Sequence, residues 1–240
     1  MDVLNGQQKS PDRSLCEDMS NAKKRYDEWI EQHRAKGLDL DEALKGSLAK
    51  SDDPLAKICL VADWGSIPSQ TLPFEDQIRV AKEIREKRNI LGPLMSLKED
   101  WLQNHQLMRN AVEEIKKTEL LKPHGAKANN LSFASKFLHW CVSPSFPIFD
   151  SYSLAAMKKM SRKEFSANPS SSKYESRWDW YASEWTDGIR DLINDHRQCC
   201  LMKSQQEGEG LVRTIDKVLW QMGKDMKPKR GGNRSNKKDT

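Results

Sequence analysis

Residues 131–151 read LSFASKFLHWCVSPSFPIFDS, and their pattern is that of a short apolar helix, a proline-locked connector and a capped helix start. On a helical wheel of about 100° per residue, Phe133, Ala134, Phe137, Leu138, Trp140, Cys141 and Val142 fill an arc of roughly 200°. Such a helix is buried on most sides. Asn129, Ser132, Ser135, Lys136, His139 and Ser143 share the narrow polar strip that remains. A lysine between apolar flanks is partly desolvated, which favours the neutral amine, the form a nucleophilic lysine needs. Pro144 and Pro147 stop the helix and hold the residues before them extended. Asp150, followed by Ser-Tyr-Ser-Leu, reads as an N-cap whose carboxylate accepts from the backbone N–H of residue 152 or 153 and stays ionised at the positive end of a helix dipole. The plainer alternative is that Lys136 only snorkels and Asp150 only caps.

Helical periodicity extends outward on both sides, and no strand alternation is found. Upstream, Leu15, Met19, Ala22, Tyr26, Trp29 and Ile30 recur at spacings of three and four, and Gly37 supplies a stop, so 14–36 is a helix. Further helices are predicted near 39–50, 53–63, 74–87 and 96–118, with breaks from Gly65 to Pro73 and from Asn89 to Pro93. Downstream, Ser161 to Lys173 is a serine-rich loop. Trp178, Tyr181, Trp185, Ile189 and Leu192 then line one face of a long helix, a core stripe and not a base-stacking platform. A last helix carries Leu211, Ile215, Val218, Leu219 and Met222. The fold class is all-α, a compact unit of about ten helices.

At 240 residues, with 37% apolar content and eight tryptophans, the chain can bury a substantial core. Its expected organisation is a disordered start over 1–12, a helical globular unit over 13–222 that divides into one body or two lobes around a cleft, and a basic disordered tail over 223–240. No apolar run reaches the roughly 18 residues of a membrane span, and no secretory leader is seen, so a cytoplasmic, membrane-free monomer is expected, nucleoid-associated if bacterial. The five cysteines are scattered, with no spacing that suggests zinc, and read as reduced thiols. No metal and no cofactor is expected. From Lys224 onward, seven bases against two acids account for the whole formal charge of +5. That tail is either a solvated end or a phosphate-binding arm in which Lys227, Lys229 and Arg230 contribute salt-sensitive affinity.

The stretch resembles the helix-hairpin-helix superfamily of DNA glycosylases, in particular its 8-oxoguanine branch. In that family a glycine-rich hairpin ending in lysine leads into an apolar helix, and a connector ending in Pro-x-x-Asp caps the next one. Here FPIFD (146–150) matches the connector, and LKPHGAK (121–127) stands where the hairpin would be. The hairpin lacks one of its usual glycines, since only Gly125 is present and Pro123 takes the other position. The resemblance implies a glycosylase-like fold, a double-stranded DNA partner with one base flipped out, and Asp150 as the catalytic carboxylate. It also implies backbone contacts from Gly125 and Lys122, and a pocket walled by His139, Trp140, Phe149 and Ser151. By motif the nucleophile aligns with Lys127, whereas the lysine embedded in the helix is Lys136. Nine residues are about 900° of helix, half a turn out of phase, so only one of the two faces Asp150. Base excision is the chemistry the resemblance implies, either through a lysine imine or, if the lysine is not a nucleophile, with Asp150 alone activating a water, in repair or in defence against modified phage DNA. The competing expectation is a noncatalytic helical module that binds nucleic acid or protein.

Overall fold

The computed structural model describes residues 13–36, 40–65, 72–117, 131–161, 174–196 and 210–226. Among them there is no strand, and the all-α class holds. The helices are α1 (Arg13–Arg34), α2 (Leu40–Lys50), α3 (Pro54–Trp64), α4 (Phe74–Glu86), α5 (Arg88–Leu94), α6 (Gln106–Lys117), α7 (Leu131–Phe137), α8 (Ser151–Met160), α9 (Tyr174–Trp180), α10 (Thr186–Asp195) and α11 (Leu211–Met226). A 3₁₀ turn, Glu99–Leu102, precedes α6. Helix α7 runs on into a π turn over Leu138–Val142, and a second π turn, Tyr181–Trp185, joins α9 to α10.

Local chemistry accounts for several boundaries. Asp53 accepts from the Leu55 N–H at 3.3 Å, Pro54 occupies the first position of α3, and Gly65 follows its last residue. Two stretches differ from the sequence reading. Asn89 to Pro93, expected as a break, lies inside α5. Burial of Leu91 and Leu94, with α5 packed on α6 and on the π turn of α7, outweighs the local cost of Gly92 and Pro93. The single helix expected over 96–118 is divided between the 3₁₀ turn and α6. Its first part is held by tertiary bonds: the Trp101 indole N–H donates to the Ser145 carbonyl at 3.0 Å, and Ser143 Oγ donates to the Leu97 carbonyl at 2.6 Å.

Most of the buried apolar residues form one contiguous cluster that includes Ile58, Trp101, Val112, Phe133, Phe146, Trp178, Trp185 and Ile215. The aromatic stripe on α9 and α10 is core throughout: Trp178, Tyr181, Trp185, Ile189 and Leu192 are all buried. Helix α11 packs on α8 and α1. At the α8 crossing, a Cβ on Gly223 would lie 1.9 Å from the Tyr152 carbonyl oxygen, so the two backbones touch where only glycine fits. Because α11 continues to Met226, Lys224 and Asp225 belong to the folded unit and not to the tail. Lys227, Lys229 and Arg230 lie outside the described residues, as does the expected loop after Ser161.

The expectation of five reduced thiols is corrected. Cys16 is disulfide-bonded, while Cys59 and Cys141 are free. The Cys16 sulfur lies 3.6 Å from His196 Nδ1 at the end of α10, a proximity of the first helix and a late one that cysteine spacing cannot reveal. No described helix is long and apolar enough to cross a membrane.

Candidate active site

Lys136 lies on α7 and Asp150 immediately precedes α8, and the fold brings their side chains together. The ammonium nitrogen is 4.0 Å from Asp150 Oδ2, with the two side chains 9% and 10% exposed. Lys136 Nζ also donates to the Gly65 carbonyl at 3.2 Å and to Ser132 Oγ at 3.4 Å. Burial lowers the Lys136 pKa, and the neighbouring Asp150 carboxylate offsets part of that shift. Asp150 directs one oxygen each way. Oδ1 accepts from the N–H groups of Tyr152 and Ser153 at 2.9 and 2.8 Å, which caps α8, and Oδ2 faces the amine.

What fixes Asp150 is the connector before it. Five consecutive residues, 145–149, are each bonded through their backbone to a side chain. Trp101 donates to the Ser145 carbonyl at 3.0 Å, His139 Nδ1 to the Phe146 carbonyl at 2.8 Å and the Tyr181 hydroxyl to the Pro147 carbonyl at 2.7 Å. The Ile148 N–H donates to both Asp216 oxygens at 3.2 Å, and the Phe149 N–H to Ser135 Oγ at 3.0 Å. The stretch is buried and irregular, so each of these groups would otherwise lose water without a partner, at about 1–3 kcal/mol apiece.

This network reinterprets the polar strip of α7. Ser135, Lys136, His139 and Ser143 all point inward and are buried. From residue 138 on, a wheel at constant pitch also misplaces the side chains, because the π turn at 138–142 inserts an extra residue and rotates those beyond it. His139 is enclosed, 3.8 Å from Asp216 Oδ2, and its pKa is pushed down to about 3 by burial and then by the Arg213 cation. Burial likewise raises the Asp216 carboxyl well above the usual range, with Arg213 opposing. Burial thus disfavours the charged form of both groups. Burial raises Tyr181 as well.

The remaining expected wall residues separate. Trp140 is half-buried and edge-on to Trp64 at 5.1 Å, with the Arg213 guanidinium 4.9 Å from its ring centre and its own N–H buried without an acceptor among the described residues. Arg213 is anchored by Asp41 at 2.5 Å. Phe149 is core, edge-on to Trp180 and Trp185 at 5.4 and 5.3 Å. Ser151 is exposed as the first residue of α8. Lys122, Gly125 and Lys127 lie outside the described residues, so Lys136 is the described lysine beside Asp150.

Sequence reading missed Asp216, Tyr181, Ser135, Trp101 and Arg213 as parts of this assembly. Asp216 carried a signal, since it interrupts the apolar run of Ile215, Val218 and Leu219 on α11. A carboxyl group there is buried, and a buried carboxyl group needs a partner. Among the described residues, no group of three or more histidine, cysteine or acidic side chains is placed to hold a metal ion. No family model, no curated protein and no solved structure matches this chain.

Proposed function

We propose that the protein is a DNA glycosylase that releases a damaged or modified base, with Lys136 as nucleophile and Asp150 as the carboxylate that assists it. The observation that carries this reading is the 4.0 Å separation of a desolvated amine and a carboxylate fixed on a helix N-terminus. The lowered pKa favours the neutral amine that a nucleophilic lysine requires. In the proposed step the amine attacks C1′ of the nucleotide, and the C1′–N bond breaks with its electron pair leaving on the base. The base gains a proton, the nitrogen of Lys136 loses one, and Asp150 stabilises the positive charge that develops on the sugar. Opening of the sugar ring then gives an imine between Lys136 and the DNA.

One observation favours a second reading. The ammonium already donates to the Gly65 carbonyl, which ties the end of α3 to α7. On that reading the pair is structural, and the protein is a noncatalytic helical module.

Borohydride trapping separates the two. Duplexes containing 8-oxoguanine, uracil or a modified cytosine are incubated with the protein and reduced. A covalent adduct is expected that disappears in Lys136→Met and persists in Lys127→Ala. Asp150→Asn is expected to abolish base release while keeping the cap, because asparagine caps as well as aspartate. A complete absence of adducts and of alkali-labile sites across the panel refutes the enzymatic reading.

A further inference from the structure

Ser135 stands between the two halves of the candidate site. It precedes Lys136 on α7, and its side chain bonds both backbone groups of Phe149, the residue before Asp150. The Phe149 N–H donates to Ser135 Oγ at 3.0 Å. The single hydroxyl proton of Ser135 lies between the Phe149 carbonyl at 3.3 Å and the Ser132 carbonyl at 3.2 Å. Ser132 is in turn the residue whose Oγ accepts from the Lys136 amine at 3.4 Å. The Phe149 ring packs edge-on to Trp180 and Trp185, which anchors that residue in the core as well. Ser135 is fully buried, so solvent does not compete for its bonds.

The gap this clamp spans is wide for opposite charges. An ammonium and a carboxylate in contact approach to about 2.8 Å. Lys136 Nζ stops 4.0 Å from Asp150 Oδ2. The amine instead bonds two neutral acceptors, the Gly65 carbonyl at the end of α3 and Ser132 Oγ on its own helix. Asp150 is the charged group that faces it among the described residues. With the amine tied to α3 and α7, the gap closes only if Asp150 shifts, and the backbone leading into Asp150 is fixed to Ser135. We propose that Ser135 is the positioning residue of the site, which fixes Phe149 to α7 and so holds the Asp150 carboxylate out of contact with the Lys136 amine. The consequence is chemical. A contact ion pair stabilises the ammonium, so a carboxylate held at 4.0 Å leaves more of the lysine as free amine than one in contact would. The inference rests on reading Lys136 and Asp150 as a reactive pair, but the spacing it explains is measurable without DNA.

The test follows the ionisation of Lys136 in the full-length protein through the nitrogen NMR shift of its amine, assigned by the loss of that signal in Lys136→Met, over a range of pH. Ser135→Ala removes the clamp at the cost of one oxygen atom, and Asp150 then closes on the amine. The titration midpoint should rise, with on the order of a tenfold loss of neutral amine at any pH below it. In the trapping experiment the same variant should form adduct about tenfold more slowly near neutral pH, with its affinity for the duplex unchanged. Ser135→Thr keeps the hydroxyl and should titrate like the wild type. Thr186→Val deletes another buried hydroxyl, bonded to the Ala182 carbonyl at 2.8 Å, and controls for lost stability. It should leave the midpoint in place. One measurement needs no variant: the Phe149 amide of the wild type should be among those protected from hydrogen exchange. An unchanged or lowered midpoint in Ser135→Ala overturns the proposal. So does an equal rise in Thr186→Val or in Ser135→Thr, or a Phe149 amide that exchanges like an exposed one. A raised midpoint in Ser135→Ala together with no adduct from the wild type sinks the glycosylase reading and leaves this one standing. Wild-type adducts with an unmoved midpoint in Ser135→Ala do the reverse.

Discussion

Lowering the pH from 7 to 4 should destabilise the fold through His139 in particular. In the folded protein its imidazole is enclosed and stays neutral down to about pH 3, whereas the unfolded chain takes up the proton near 6.5. Across that interval the unfolded state binds more protons, so the contribution is fully present above pH 6.5 and is lost as pH falls towards 3. At pH 4 the loss spans about 2.5 of those pH units, which at about 1.4 kcal/mol per unit is roughly 3 kcal/mol. That is a large part of the roughly 5–15 kcal/mol typical of a domain. The charged and titratable groups around the ring are Arg213, Asp41, Lys45 and Asp216. Arg213 and Lys45 disfavour protonation, Asp41 favours it, and burial outweighs all three.

Urea denaturation followed by tryptophan fluorescence at several pH values between 7 and 4 measures this directly. Wild type is compared with His139→Gln, whose side-chain amide can still donate to the Phe146 carbonyl. Between pH 7 and 4 the wild type should lose roughly 3 kcal/mol more than the variant. Asp216 acts with the opposite sign. Its raised pKa contributes stability that is present below the unfolded value of 3.8 and is lost as pH rises through the folded one. It is present in both proteins, and repeating the pair in an Asp216→Asn background removes it. Parallel pH profiles in both backgrounds would refute the assignment of a buried, neutral His139.

Two further predictions concern close contacts. Gly223→Ala sets a Cβ against the Tyr152 carbonyl, a backbone atom that cannot swing aside, so α8 and α11 must separate. A destabilisation of about 1–3 kcal/mol is expected by chemical denaturation, and a neutral result would mean the crossing is looser than described. Glu99 accepts from the N–H groups of Leu211 and Val212 at 3.0 and 2.7 Å and so caps α11 from the 3₁₀ turn. Glu99→Ala should cost about 1 kcal/mol and increase amide exchange at the first turn of α11, whereas unchanged exchange there would exclude the cap.

Much of the helical layout was legible because its signals are local. Caps, apolar spacing and glycine stops placed α1 to α4, α8 and the last helix within a few residues of their observed bounds. Asp150 was legible for the same reason, since N-cap chemistry needs only the next three residues. What failed depended on distant partners. Gly92 and Pro93 argue against a helix locally, and only the burial of Leu91 and Leu94 overrules them. The inward turn of His139 depends on the π turn and on Asp216, 77 positions further along the chain. Glu99 reads as a surface acid until α11, more than a hundred residues later, is placed against it. The pairing of Lys136 with Asp150 fell between these cases. Each residue was visible in sequence, but their separation depends on the path of the connector.

That path also explains why an irregular segment is tolerated inside the core. Pro144 and Pro147 remove two N–H donors, which rules out continuing α7 and leaves carbonyls that no helix or sheet can satisfy. A core that needed only apolar volume would be better served by more helix. Instead five side chains, Trp101, Ser135, His139, Tyr181 and Asp216, are drawn inward to satisfy five consecutive residues. In two of them, His139 and Asp216, burial shifts the pKa against the charged form, so each makes stability depend on pH. The structural return is a fixed backbone up to Asp150, whose carboxylate is then oriented by two N–H groups of α8 with one oxygen left for the amine. Side chains supporting a buried carboxylate in this way hold it 4.0 Å from the Lys136 amine. The cap alone would survive a looser connector, because it is made entirely within 150–153, so the cost of this network is better matched to the position of Asp150 relative to α7 than to the stability of α8.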